Sequence, residues 1–176
     1  MLHAAHSSVV LSTAYAPGPG DRQHRGTSTA ADRPPTSSAN PRLVSGYNVA
    51  VAAAHAQAAP GCRRVLIVDW DAHHGNGTLQ IFWASPDVMF FDIHRASPFY
   101  PGSGQLEEIG AGLGEGTTVN VPVPGGTGDE AYLTAFREIL LPAAEWFRPD
   151  LILVSAGFAP HWHDLALNVS QEGFGR

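Results

Sequence analysis

Two acids and two histidines stand close together in the stretch from Val65 to Gly77, which reads VLIVDWDAHHGNG. The leading apolar residues predict a buried strand of a parallel sheet. Because side chains alternate along a strand, we expect Asp69, Asp71 and His73 to point to one face, at the strand end where open α/β sheets bind ligands. A carboxylate oxygen and an imidazole nitrogen in this spacing suit a divalent metal such as zinc. The alternative is that the two acids only cap the next helix.

A strand–helix–strand unit would hold this stretch in place. Residues 88–94 predict a second buried strand, and a helix that opens at Asn76 and Gly77 would connect it to the first. Strands joined in this way within about 30 residues are parallel neighbours. An alanine-rich helix and two further strands are predicted over residues 49–58, 118–123 and 151–158. The sequence therefore predicts an α/β fold with a mainly parallel sheet.

Two prolines mark expected limits of these elements. Pro122 falls within the predicted strand at 118–123 and indicates a strand end or an edge position. A long amphipathic helix should follow, with a capping box at Thr127 and Glu130 and with its apolar residues on one stripe. Pro142 should kink this helix or end its first segment. We expect the helix to cover one face of the sheet.

Length and composition restrict the class of protein. The chain has 176 residues, which is enough for one domain with a real core. Its 16 acidic and 10 basic residues give a net charge of −6, which argues against nucleic acid as a general partner. No apolar run is long enough for a membrane helix, and no signal peptide is predicted. A single cysteine, Cys62, fits a reducing compartment, so we expect a cytoplasmic location.

Residues 1–45 differ in composition from the rest of the chain. Residues 14–40 are dense in glycine, proline, serine, threonine and alanine, and they show neither helical nor alternating apolar periodicity. Such a segment buries too little apolar surface to become ordered by itself, so we expect it to be disordered or to lie along the domain surface. The predicted organisation is thus a loop-rich N-terminal segment, 1–45, followed by a domain, 46–176.

Five short motifs resemble those of the histone deacetylase family, especially its class II and bacterial acetylpolyamine-deacetylase-like branch. In chain order they are VDWDAHHGNG at 68–77, FYPGSG at 99–104, NVP at 120–122, GTGD at 126–129 and LVSAGF at 153–158. The resemblance covers roughly residues 46–174. It implies the arginase/deacetylase fold, a three-layer arrangement of a mainly parallel sheet between helices, here in a truncated version.

The same resemblance implies an activity and a set of site residues. The activity is hydrolysis of an N-acetyl group from an acetylated lysine peptide or an acetylpolyamine by a zinc-bound water. Asp71 and His73 fall on two of the family's three zinc-ligand positions. Asp69 falls on the acid that orients the catalytic histidine and helps to hold a monovalent cation. Tyr100 falls on an aromatic position of the substrate channel; the alternative for Tyr100 is ordinary loop packing.

The chain departs from the family pattern at its catalytic positions. Ala159 stands where the third zinc ligand, an aspartate, is expected, and Ser37 and Ser38 replace the histidine pair that acts as general acid and base. The segment that carries the family's catalytic tyrosine has no counterpart in this chain. His161 and His163 lie close enough in sequence to be alternative ligands.

These departures leave more than one hypothesis for function. The first is a zinc-dependent deacetylase-like hydrolase, and the alternative is a catalytically inactive deacetylase-like domain, or a fragment, that acts by binding. A phosphoesterase is disfavoured because the chain lacks the additional acid and histidine clusters of a two-metal site. Whether the chain is an enzyme is left open by the sequence.

Overall fold

Five parallel strands form one sheet in the part of the chain that the computed structural model describes, residues 9–12, 45–164 and 166–175. They are β1 (Val9–Ser12), β2 (Val65–Asp69), β3 (Val88–Arg95), β4 (Thr118–Val123) and β5 (Leu151–Ala156), in the order β1-β5-β2-β3-β4. The apolar run that opens the acid- and histidine-rich stretch forms the interior strand β2, whose residues are all buried. This confirms the predicted α/β class with a parallel sheet.

Helices cover both faces of this sheet. They are α1 (Ser45–Gln57), α2 (Asn76–Phe82), α3 (Asp129–Ala135) and α4 (Leu141–Phe147), and a π-helical segment, Phe136–Leu140, joins α3 to α4. Val49 of α1 and Leu79 of α2 pack on the face that carries Ile67. Tyr132 of α3 packs on the opposite face, which carries Phe91. Side chains that alternate along the strands therefore point into two apolar cores, one on each face of the sheet. This confirms the three-layer arrangement.

Both prolines lie at the limits that the sequence predicted. Pro122 belongs to β4, which is an edge strand of the sheet among the described residues. Pro142 is the second residue of α4, which directly follows the π-helical segment, so regular α-helical bonding is interrupted before it. Arg148 then ends α4 in a left-handed conformation with φ of 54°.

The predicted capping box is wrong. Gly128 precedes the first turn of α3 and makes no side-chain cap bond. Thr127 Oγ1 instead donates a hydrogen bond of 2.7 Å to the carbonyl of Pro124. The N-cap position is Gly128, so Thr127 lies one residue before it, and its side chain bonds the preceding turn instead.

Strand β1 was not predicted. It has four residues, VVLS, and it pairs with β5 along its length, so its place depends on a non-local partner and not on a strong local pattern. The loop-rich stretch 14–40, together with Ser37 and Ser38, lies outside the described residues. The division of the chain at residue 45 stays a prediction.

Candidate functional site

The carboxyl ends of three neighbouring strands bring the candidate site together. Asp69 ends β2 and lies in register beside Asp92 of β3 and Ser155 of β5. Asp69 Oδ1 accepts a hydrogen bond of 3.0 Å from the N–H of Asp71, which holds the chain as it leaves the strand. Neither predicted acid caps the next helix, because α2 begins at Asn76 without a side-chain cap bond. The helix-capping alternative is therefore wrong.

Asp71 and His73 hold one potential metal-ligating atom each in contact with the other. Asp71 Oδ1 accepts the N–H of His73 at 2.8 Å and lies 2.9 Å from His73 Nδ1. Two atoms that each lie about 2 Å from one zinc ion at a tetrahedral angle stand about 3 Å apart, so this spacing fits a shared ion. The side chains of His73 and Asp71 are 22% and 18% exposed, which leaves the pair accessible.

The backbone of the strand beside Asp71 approaches it closely. A Cβ atom added at Gly157, directly after β5, would collide with the Asp71 carboxylate. Glycine at this position leaves the space that the carboxylate occupies. The position of Asp71 thus depends on the LVSAGF motif as well as on its own stretch.

In the described part of the chain, no third side chain joins Asp71 and His73 as a candidate metal ligand. Among residues 9–12, 45–164 and 166–175, no group of three histidine, cysteine, aspartate or glutamate side chains is arranged to hold a metal. Ala159 is partly buried, packs against apolar side chains and offers no donor atom. His161 Nδ1 accepts a 3.3 Å hydrogen bond from the N–H of His163, and neither histidine joins the Asp71–His73 pair in such a group. A catalytic zinc site normally has three protein ligands, so the residues present fit the ion only in part.

Asp69 is buried next to another carboxylate. Burial raises the pKa of Asp69 well above its usual value, and the charge of Asp92 raises it further, while hydrogen bonds from Asp71 and Ser155 oppose the shift. A Cβ added at Gly75 would lie 3.0 Å from Asp69 Oδ2 and 3.1 Å from Asp92 Oδ2, so both acids flank this glycine. Two buried carboxylates in this position favour a bound cation or a bound proton.

Aromatic side chains cover the outer side of His73. The ring of Phe99 stacks on His73 with a centroid separation of 4.8 Å and an interplanar angle of 26°. Tyr100 meets His73 edge-on at 6.4 Å and is 39% exposed. Arg95 places its guanidinium 4.7 Å from the centroid of Phe99. The structure thus brings Tyr100 beside a predicted ligand, at the open side of the site.

Several residues of the site were missed from sequence. Phe99, Ser103 and Gly157 lie in motifs that were noted, but only Tyr100 was singled out from the first of these motifs. Asp92 and His94 repeat, at the end of β3, the Asp-x-His spacing that marks the end of β2. That repetition was the available signal, since neighbouring parallel strands bring their carboxyl ends together.

His74 makes the stability of the metal-free protein depend on pH. It is 4% exposed, and its pKa is lowered to about 4, chiefly by burial and also by His94, with Asp92 opposing the shift. The unfolded chain takes up this proton near pH 6.5 and the folded chain only near pH 4, so acid favours unfolding. We expect His74 to lower the free energy of unfolding by about 2 kcal/mol between pH 7 and pH 5.

Urea titrations at pH 7 and pH 5 measure this contribution. The free energy of unfolding should differ less between pH 7 and pH 5 in a His74→Gln variant than in the wild type. The reduction should be about 2 kcal/mol, because glutamine does not titrate. A variant that keeps the whole wild-type pH dependence would contradict the assignment to His74.

Comparison with known proteins adds a second, independent line of evidence. The sequence model of the histone deacetylase domain matches residues 4–176. The chain is 48% identical over 141 residues to Histone deacetylase 14, chloroplastic, from Arabidopsis thaliana, which covers 78% of this chain and 33% of that protein. It is 44% identical over 160 residues to Histone deacetylase 7 from Homo sapiens, which covers 83% of this chain and 17% of that protein.

Solved structures agree with this match. The crystal structure of the HDA15 HD domain superposes with a TM-score of 0.71 at 46% sequence identity, covering 73% of this chain and 39% of that one. This chain thus spans a third or less of the two curated relatives named above. The predicted assignment to the class II and bacterial branch stays a prediction. The family match extends over nearly the whole sequence and agrees with the fold, and the chain belongs to the histone deacetylase family.

Proposed function

We propose that this chain is a zinc-dependent deacetylase-like hydrolase that acts on N-acetyl-lysine or acetylpolyamine amides. The observation that carries the proposal is the 2.9 Å approach of Asp71 Oδ1 and His73 Nδ1 at an accessible strand end. These two residues would hold the ion. When bound, zinc supplies a Lewis acid that polarises the amide carbonyl and lowers the pKa of an attacking water.

The surrounding side chains have supporting roles in this proposal. Asp69 holds the turn through the N–H of Asp71, and the repulsion between Asp69 and Asp92 supports a monovalent cation near them. Phe99 fixes the ring of His73 by stacking on it. Tyr100, half-exposed beside the same ring, is the proposed channel wall that would contact the acyl-lysine or acylpolyamine chain.

Turnover should be slow because three family positions have changed. Ala159 supplies no third ligand, so the ion is held more weakly than in a three-ligand site. Ser37 and Ser38 supply hydroxyl groups, and a hydroxyl with a pKa far above neutrality cannot replace a histidine as a general base.

Acetate release from an acetyl-lysine peptide, and separately from an acetylpolyamine, tests the proposal. We expect slow release by the whole chain that requires added zinc and that is lost in His73→Gln. Parallel reactions with chelated protein give the metal-free blank. Release that does not exceed this blank for either substrate would contradict a hydrolase.

The second candidate function is binding of an acetylated ligand without turnover. It is favoured by Ala159, which packs against apolar side chains at the third ligand position. Calorimetry with an acetyl-lysine peptide distinguishes the two candidates, since this function gives saturable binding of the peptide and no acetate. The same peptide without its acetyl group is the control for binding that does not depend on the acetyl amide.

Partners and location belong to the same proposal. The net charge of −6 supports a small or peptide substrate over nucleic acid. Over the described ranges, no helix combines the length and the apolar character needed to cross a bilayer. The proposed cytoplasmic location is supported by the single cysteine, Cys62.

A further inference from the structure

A buried histidine at the end of β3 has both ring nitrogens bonded to acceptors. His94 is 1% exposed, its Nδ1 lies 2.8 Å from Asp92 Oδ1, and its Nε2 lies 3.0 Å from the carbonyl oxygen of Gly104. Because a carbonyl only accepts hydrogen bonds, Nε2 donates to Gly104, and Nδ1 shares one proton with the carboxyl group of Asp92. Burial alone lowers the pKa of His94, but the charge and hydrogen bond of Asp92 and the bond to Gly104 raise it overall.

The same ion pair reaches the metal-site stretch from its other side. Asp92 Oδ2 accepts a hydrogen bond of 2.6 Å from the N–H of Gly75, the residue that follows His74. One unbroken series of hydrogen bonds therefore runs from Gly75 through Asp92 and His94 to Gly104. Asp92 is fully buried, so this series is shielded from water and each bond in it is costly to lose.

Gly104 closes the FYPGSG segment, residues 99–104, which covers the candidate site. Its φ of +87° favours glycine, and a Cβ added there would collide with the ring of His94 and lie 2.7 Å from His74 Cδ2. Ser103 Oγ lies 2.8 Å from His74 Nδ1. The end of the segment is thus packed directly on two buried histidine rings, while its start stacks Phe99 on His73.

We infer that Asp92 and His94 are a positioning pair that fixes residues 99–104 over His73. The inference rests on the proposed function only in taking this segment as the wall of the acetyl-amide channel. The two residues act through the N–H of Gly75 and the carbonyl of Gly104. Loss of the pair leaves both backbone groups without their partners, so opening of the segment becomes more frequent.

Hydrogen–deuterium exchange of the whole chain tests this inference without reference to activity. In Asp92→Asn and in His94→Gln we expect exchange of the amides in residues 99–108 to be faster by about 10- to 100-fold, with amides of β2 unchanged. His55→Gln, at an exposed position of α1, is the matched histidine control and should exchange as wild type. Unchanged exchange of residues 99–108 in folded variants, or equal acceleration throughout the chain, would overturn the inference.

A measurement on the wild-type protein keeps the test decisive if the variants do not fold. Hydrogen exchange of the Gly75 amide in the wild type should be as slow as that of the β2 amides, because this N–H is bonded to the buried Asp92, and fast exchange of this amide would overturn the inference. The proposed function is tested separately by zinc retention and acetate release. If zinc does not bind but the amides of residues 99–108 still exchange faster in the variants, the proposed function fails and the positioning pair stands.

Discussion

Gly157→Ala is expected to remove most of the protein's capacity to retain zinc. The added Cβ would occupy the space of the Asp71 carboxylate, and the site then loses one of the two donors that it has. We expect zinc affinity to fall by about 10- to 100-fold, since loss of a residue that only hydrogen-bonds to a metal ligand already reduces affinity that much. Overpacking at this strand end should also lower the free energy of unfolding by about 1–3 kcal/mol. Equilibrium dialysis and urea titration measure the two effects.

Gly77→Ala is the matched control for this substitution. Gly77 lies in α2, and a Cβ added there meets nothing within 4 Å. Alanine should leave zinc retention unchanged and increase stability by about 0.5–1 kcal/mol, because glycine is unfavourable inside a helix. If both variants retained zinc equally, Asp71 would not be a ligand in the position that the structure shows.

Ala159→Asp is expected to have the opposite effect, a large gain in zinc affinity. The substitution places a carboxylate at the position where the family carries its third ligand and converts a two-donor set into a three-donor set. We expect zinc affinity to rise on the order of 100-fold. This is the upper end of the effect on metal affinity of a residue that hydrogen-bonds to a metal ligand. A competitive titration against a chelator measures the change.

Ala159→Asn separates the charge of the new side chain from its shape. Asparagine has nearly the shape of aspartate but is neutral, and it should give a much smaller gain in affinity for a divalent cation. Equal affinity in the wild type and in Ala159→Asp would show that this strand end does not face the Asp71–His73 pair.

Much of the fold was predictable because its elements have strong local patterns. The buried strand β2 was read from four consecutive apolar residues, and the parallel pairing followed from the short helix between β2 and β3. Strand β1 was not predictable in the same way, since VVLS has no distinctive pattern and depends on β5. The capping box failed because α3 begins one residue later than predicted, with Gly128 at the N-cap, and Thr127 bonds the carbonyl of Pro124 in the preceding turn.

The candidate site was predictable where its residues follow one strand end and less so where several elements meet. Asp69, Asp71 and His73 were predicted together from strand alternation, although β2 ends at Asp69 and the other two residues lie in the bend that follows. The Asp92–His94 pair depends on contacts with Gly75 and Gly104, which are remote in sequence. Such contacts are set by the register of β2 against β3 and by the loop after β3.

Zinc binding to the wild-type chain and to its ligand variants is the measurement that tests the central claim most directly. The account predicts one zinc per chain in the wild type, with affinity reduced at least about 10-fold in Asp71→Asn and in His73→Gln. A double variant, His161→Gln with His163→Gln, should bind zinc as the wild type does. Unchanged affinity in the two ligand variants, or loss of zinc in the double variant, would contradict a site held by Asp71 and His73.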